Sequence, residues 1–162
     1  MLDAFCTNGS SPPANYRIKA VTFQLVREGP APRTLLDKPA LVADMARQVI
    51  PDDGREHFGI FLLNSQNRLL AYHEASVGTL NASLVSPREV FGAALRTLGC
   101  AALLLVHNHP SGDATPSRED LRLTRQLVEA GKLLDITVHD HVVIGNGTEA
   151  YESLATRGEM AG

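Results

Sequence analysis

The chain has 162 residues, enough for one ordinary domain with its own hydrophobic core and too few for two. Its 44% hydrophobic and 20% charged residues exclude wholesale disorder, and a net charge of −3 gives no general attraction to nucleic-acid phosphates or acidic membranes. Two distant cysteines, Cys6 and Cys100, without CxxC spacing, exclude a disulfide framework or a cysteine zinc site.

Residues 1–15 include Asn8, Gly9, Ser10, Ser11, Pro12 and Pro13, which offer nothing to bury. A flexible tail is expected there, ahead of a folded region over 16–158. The start of the chain lacks a basic segment followed by an apolar core, and no apolar run has membrane-spanning length, so the expected location is the cytoplasm with no membrane partner. Tyr16 to Val26 alternates as a strand does, ending at Gly29, Pro30 and Pro32. From Asp37, placed as an N-cap, Leu41, Val42, Met45, Ala46, Val49 and Ile50 recur at helical spacing until Pro51 and Gly54. Glu56 to Asn64 reads as a buried strand, Ser65 to Asn67 as a turn, and Leu69 to Ala75 as the second arm of a hairpin.

Ser86, Pro87 and Glu89 carry a capping-box pattern with proline at the first helical position. Val90, Phe91, Ala94, Leu95 and Leu98 continue that helix to Gly99. Ala101 to Val106 (AALLLV) is wholly apolar, as suits a central strand covered on both faces. A loop from His107 to Pro116 leads to a helix capped by Ser117 and carrying Leu121, Leu127, Val128 and Leu134. Ile136 to Ile144 follows as a strand, and the last dozen residues are expected to fray. The order is mixed α/β, without internal repeats.

Side chains two apart on a strand point the same way, so His107 and His109 can meet at one point beyond AALLLV. The ten residues between His109 and Asp120 can turn the next helix back toward the strand end, where Asp120 becomes a third donor. Two imidazoles and a carboxylate suit zinc, and three protein ligands leave a position for water, as in a catalytic site. Zinc lowers the pKa of such a water to about 7. Each residue also has a plainer reading. Strand-end histidines often face solvent, and Asp120 can simply complete a capping box with Ser117. The metal reading rests on the conjunction of HNHP, a Ser/Gly/Pro loop and SRED opening a helix.

From His107-Asn108-His109-Pro110 to Ser117-Arg118-Glu119-Asp120 the sequence resembles the JAMM metalloproteases, and more closely the RadC-like proteins. The resemblance covers roughly residues 17–158, through EHFGIFLLNSQNRLLAYHEASVGTLNASLVSPREV, LLLVHNHPSGDATPSRED and LLDITVHDHVVIG. It implies an MPN fold, a cytidine-deaminase-like layered sandwich with a curved mixed sheet and helices packed against it. It also implies one zinc per chain on His107, His109 and Asp120, and a Ser117 that helps hold the oxyanion. The family's catalytic glutamate lies at the start of the strand after the first helix, in a pattern like ExxGxxL that Glu56 to Leu62 matches. Glu56 is thus the candidate base, with Glu74, just before Gly78-Thr79, as its rival. His139 and His141 form a second HxH without a carboxylate at the matching distance downstream, and are assigned to hydrogen bonds with the loop. His57 and His73 read as polar strand residues, and Cys100 as a small core residue.

The implied activity is hydrolysis of an amide or isopeptide bond in a peptide or protein substrate. Longer RadC-like chains carry a helix-hairpin-helix region that this sequence lacks, so nucleic acid as a partner has neither that module nor net charge behind it. The alternative is a RadC-like nucleic-acid or protein binding module associated with DNA repair, recombination or mobile elements, which has no need to keep two histidines, an aspartate, a serine and a glutamate in register. Other zinc or HNH readings fail on pattern. HNH nucleases spread their residues over a ββα unit, amidohydrolases need a barrel of about 250 residues, and zinc deaminases need HxE and PCxxC motifs absent here.

Overall fold

A strand in which every residue is buried needs a layer on each side of it, and HFGIFLL has both. The computed structural model describes residues 34–78 and 85–160; the expected tail at 1–15 and strand at 16–26 lie outside them. The described elements are α1 (Pro39–Val49), β1 (His57–Leu63), β2 (Leu69–Val77), α2 (Pro87–Arg96), β3 (Ala102–His109), α3 (Arg118–Leu134), β4 (Thr137–Gly145) and β5 (Tyr151–Ser153). The strands form one mixed sheet in the order β2-β1-β3-β4-β5. All neighbours are antiparallel except β3 and β4, which run parallel and are joined by the α3 crossover.

Alternation along β1 and β3 divides the core in two. Phe58, Ile60, Leu62, Leu103 and Leu105 meet Val90 and Phe91 of α2 and Leu123 and Leu127 of α3. Phe61, Leu63, Leu104 and Val106 meet Val42, Ala43 and Ala46 of α1 on the opposite face. The expectation of a central strand at AALLLV, covered on both sides, holds. No helix among the described residues is long and apolar enough to cross a membrane.

Several expected boundaries move, each for a local reason. The N-cap of α1 is Lys38, not Asp37, and no side chain caps it. Pro39 in the first turn brings its own helical φ and has no N–H to satisfy. Ser86 does cap α2 by position, but the box with Glu89 is not formed, and Ser86 Oγ is buried without a hydrogen-bond partner. Leu95 and Leu98 are 65% and 74% exposed, because α2 stops at Arg96 and its buried side is Val90, Phe91, Ala93 and Ala94. The expected fraying of the last dozen residues is corrected through residue 160. Residues Tyr151–Ser153 pair with β4, and Leu154 is fully buried. Buried Asp140 ties this segment down, accepting from Ser153 Oγ at 2.6 Å and from the Ala155 N–H at 2.9 Å.

The crossover leaves little room where α3 ends. A Cβ built on Gly131 would lie 2.4 Å from the carbonyl oxygen of Ile136, against backbone that cannot rotate away. Gly131→Ala is therefore expected to cost about 1–3 kcal/mol, as overpacking of a close contact does. Urea unfolding with an unchanged slope would read this as a lowered midpoint, and an unshifted midpoint would show that the α3–β4 connection yields.

Candidate metal centre

The parallel β3–α3–β4 unit places the first turn of α3 beside the carboxyl end of β3, the place where open α/β sheets collect ligands. β3 does not give way to loop at His107 but continues to His109, so the strict alternation that buries Leu103 and Leu105 also sends both imidazoles to the α3 side. His107 Nε2 and His109 Nε2 stand 2.9 Å apart. Asp120 Oδ1 lies 3.4 Å from the former and Asp120 Oδ2 3.5 Å from the latter. His107 and Asp120 are buried, and His109 is the more accessible of the three. The three side chains can hold a metal ion, with one donor atom from each within 4.8 Å of the others.

The hydrogen bonds behind the rings test this donor set. His109 Nδ1 lies 2.7 Å from the carbonyl oxygen of Asp113. A carbonyl only accepts, so Nδ1 carries the hydrogen and Nε2 keeps its lone pair in the neutral ring. His107 Nδ1 lies 2.8 Å from His141 Nε2, leaving its own Nε2 toward Asp120. The pocket thus gathers nitrogen lone pairs and a carboxylate, an arrangement that a shared cation satisfies and the residues alone do not. This fits zinc's preference for imidazole and carboxylate donors. Burial keeps His141 well below the ordinary imidazole value.

The plainer reading of Asp120 is also true, without competing with the first. Asp120 Oδ2 accepts the Ser117 N–H at 2.6 Å while Ser117 Oγ accepts the Asp120 N–H at 3.2 Å, a complete capping box. As a cap Ser117 gives a lone pair to the Asp120 N–H.

Glu56 and Glu74 go to different places. Glu56, one residue before β1, has the parity of Phe58 and lines a cleft of about 490 Å³ with His109, Pro110, Ser111, Ser117, Glu119 and Asp120. Glu74 pairs in register with Gly59, on the opposite parity, and accepts from His57 Nδ1 at 2.8 Å. Asn108, the middle of HNH, points away from the histidines. Its amide brackets Glu56, accepting the His57 N–H at 2.6 Å and donating to the Arg55 carbonyl at 2.9 Å. It also donates to Asn146 Oδ1 at 3.0 Å, and Asn146 donates to Asp52 Oδ1 at 2.7 Å.

Sequence reasoning missed Asn108, Thr124 and the placement of His141. Thr124 was findable, since it lies one helical turn after Asp120 and so shares its face. His139 reaches the β1–β2 turn at Asn67 Oδ1, 3.0 Å away, but the His141 ring meets His107 and Thr124 and stands fully buried. His57 is not simply a polar strand residue either. Its two ring nitrogens face Glu74 and, at 3.0 Å, Asp53.

Fold and site together define a mixed α/β domain of MPN type with a two-histidine, one-aspartate cleft. The chain belongs to the RadC-like JAB domain family, whose model matches residues 36–159. A UPF0758 protein of Desulforamulus reducens is 46% identical over 126 residues, 78% of this chain and 54% of that one. Others are 48% identical over 122 residues in Geotalea uraniireducens (75% and 52%) and 55% identical over 92 residues in Desulforudis audaxviator (57% and 40%). The chain spans about half the length of the curated relatives it matches.

The clamp on His57 makes a pH prediction. Burial lowers its pKa, but hydrogen bonds to Asp53 and Glu74 outweigh this and raise it above 6.5. Arg55 first, then His57, hold Asp53 well below 3.8. A raised imidazole stabilises fully below its unfolded pKa and loses that contribution as pH climbs through the folded one; the depressed carboxyl loses its own as pH falls below 3.8. The difference in unfolding midpoint between wild type and His57→Gln is therefore expected to be largest between about pH 4 and 6.5 and to shrink on the alkaline side. A difference that widens above that range would contradict a charged His57.

Proposed function

We propose that the chain is a zinc-dependent hydrolase, a metallopeptidase that cleaves an amide or isopeptide bond with water. The observation that carries this reading is the convergence of His107 Nε2, His109 Nε2 and the Asp120 carboxylate in the cleft that Glu56 also lines. Zinc held there would act as a Lewis acid on the scissile carbonyl and make hydroxide available near neutral pH. Glu56 takes a proton from the attacking water and returns it to the leaving amine, which carbonyl addition and collapse require in turn. Ser117, which gives a lone pair to the Asp120 N–H, donates its hydroxyl hydrogen to the carbonyl oxygen as negative charge develops. Glu74 lies on the other face of the sheet against His57, which favours Glu56 as the base.

Three single variants separate the roles. Wild type is expected to bind one zinc per chain by elemental analysis, and Asp120→Asn to bind it weakly. Glu56→Gln is expected to keep full zinc and lose about 10²–10⁴ in rate on peptide and isopeptide-linked substrates, with Glu74→Gln close to wild type. A protein that takes up no zinc would overturn the reading. So would one that is fully loaded yet cleaves none of the panel, which would turn it toward the binding module. Loss of activity in Glu74→Gln alone would move the base.

A further inference from the structure

We propose that His141, held by Thr124, is a positioning residue that fixes the tautomer of His107 and so keeps His107 Nε2 as an electron-pair donor. The inference rests on the metal-site reading above, but it concerns protons the protein holds with or without metal.

One unambiguous acceptor sets the direction of every hydrogen bond in the chain from Thr124 to His107. The carbonyl of Asp120 can only accept, and Thr124 Oγ1 lies 2.6 Å from it, so the single hydroxyl hydrogen of Thr124 is spent there. Thr124 Oγ1 is also 2.5 Å from His141 Nδ1. With its hydrogen spent, the hydroxyl can only accept, and His141 must carry its hydrogen on Nδ1. The opposite nitrogen of the neutral ring, His141 Nε2, then presents a lone pair to His107 Nδ1 at 2.8 Å. His107 must answer with Nδ1–H, which strips the hydrogen from Nε2, the atom aimed at His109 and Asp120.

Burial makes the relay strict. Thr124, His141 and His107 are all 0% exposed, so water cannot substitute for a missing partner. Phe58 closes the rest of the nest, its ring against both imidazoles at 6.3 and 5.6 Å between centroids. A neutral imidazole free in water prefers the opposite tautomer, with hydrogen on Nε2, and would have to surrender it before accepting a metal. The chain starts on the backbone of Asp120, itself a donor to the site, so the helix turn that supplies the carboxylate also sets the proton on the histidine opposite. Partners of this kind typically contribute 10–100-fold in metal affinity.

The test uses ¹⁵N-labelled full chain, zinc-free and zinc-loaded, with long-range ¹H–¹⁵N correlation of the histidine rings and zinc affinity from chelator competition. Zinc-free wild type is expected to show hydrogen on Nδ1 and none on Nε2 for both His107 and His141. Thr124→Val, nearly the same in shape, is expected to shift His107 toward Nε2–H and weaken zinc 10–100-fold, while Thr124→Ser restores both. A purely structural Thr124 would lower the thermal midpoint and leave tautomer and affinity alone, which would overturn the proposal. So would Nε2–H on His107 in wild type, or a switched tautomer without loss of affinity. Should Thr124→Val fail to fold, His141→Leu is read in the same way. A wild type that binds no zinc would overturn the metal reading, and the zinc-free tautomers would still decide the relay.

Discussion

A buried carboxylate is the constraint on which the site depends. Asp120 is 1% exposed at the first turn of α3, and an ion taken out of water at that depth survives only where surrounding groups answer its charge. The helix itself does so first. The Ser117 N–H meets Oδ2 and the amides of the helix N-terminus add a favourable dipole, while the two imidazoles of β3 stand beside its oxygens. Any one of these alone leaves lone pairs of the carboxylate unanswered. A metal ion held by all three side chains would answer the carboxylate and the ring nitrogens together.

Cap and ligand are therefore one structure. In an ordinary capping box the third helical residue only satisfies an orphan amide. Here the same bond fixes the carboxylate's orientation, so that Oδ1 and Oδ2 face His107 and His109 separately. The parallel β3–α3–β4 connection makes this possible, because a helix returning over its own strand brings its first turn to the carboxyl end of that strand. The same geometry binds fold to site. Displacing α3 would at once undo the capping box, the Thr124 contact and the packing of Leu123 and Leu127 on Phe58.

How much of this was legible in the sequence follows from the range of the physics involved. Alternation and helical spacing act over a few residues, so the pairing of His107 with His109, the Ser117 cap and the apolar β3 could be read directly. The competing capping readings diverged for a local reason too. Ser117 has Asp120 three residues on and forms the box, whereas at Ser86 and Asp37 the following proline starts the helix without needing a side-chain cap. Choosing between Glu56 and Glu74 required register, which no local pattern supplies. One step of pleat separates a residue that lines the cleft from one that faces His57. His141 was misread because its partner arrives through parallel pairing with β3, 34 residues distant in sequence. Asp140's hold on Ser153 and Ala155, which orders the end of the chain, was invisible for the same reason.

Asn108 shows how a residue pointing away from the site can still govern it. The β1–β3 ladder ends at Phe58 opposite His107, so backbone pairing stops just short of Glu56. Beyond that point the Asn108 amide acts as a rung of the ladder, offering one acceptor and one donor to the backbone on either side of Glu56. Only a side-chain amide can do both; aspartate would lack the donor, and leucine would lack both. Because His107 and His109 flank Asn108 on β3, the peptide that grips the Glu56 backbone from one face presents the imidazoles on the other. The distance between Glu56 and the donor cluster is thereby set by a single rigid stretch of strand. The HNH triplet is then one device, two histidines toward the cleft and an amide behind them, which fixes where the glutamate stands.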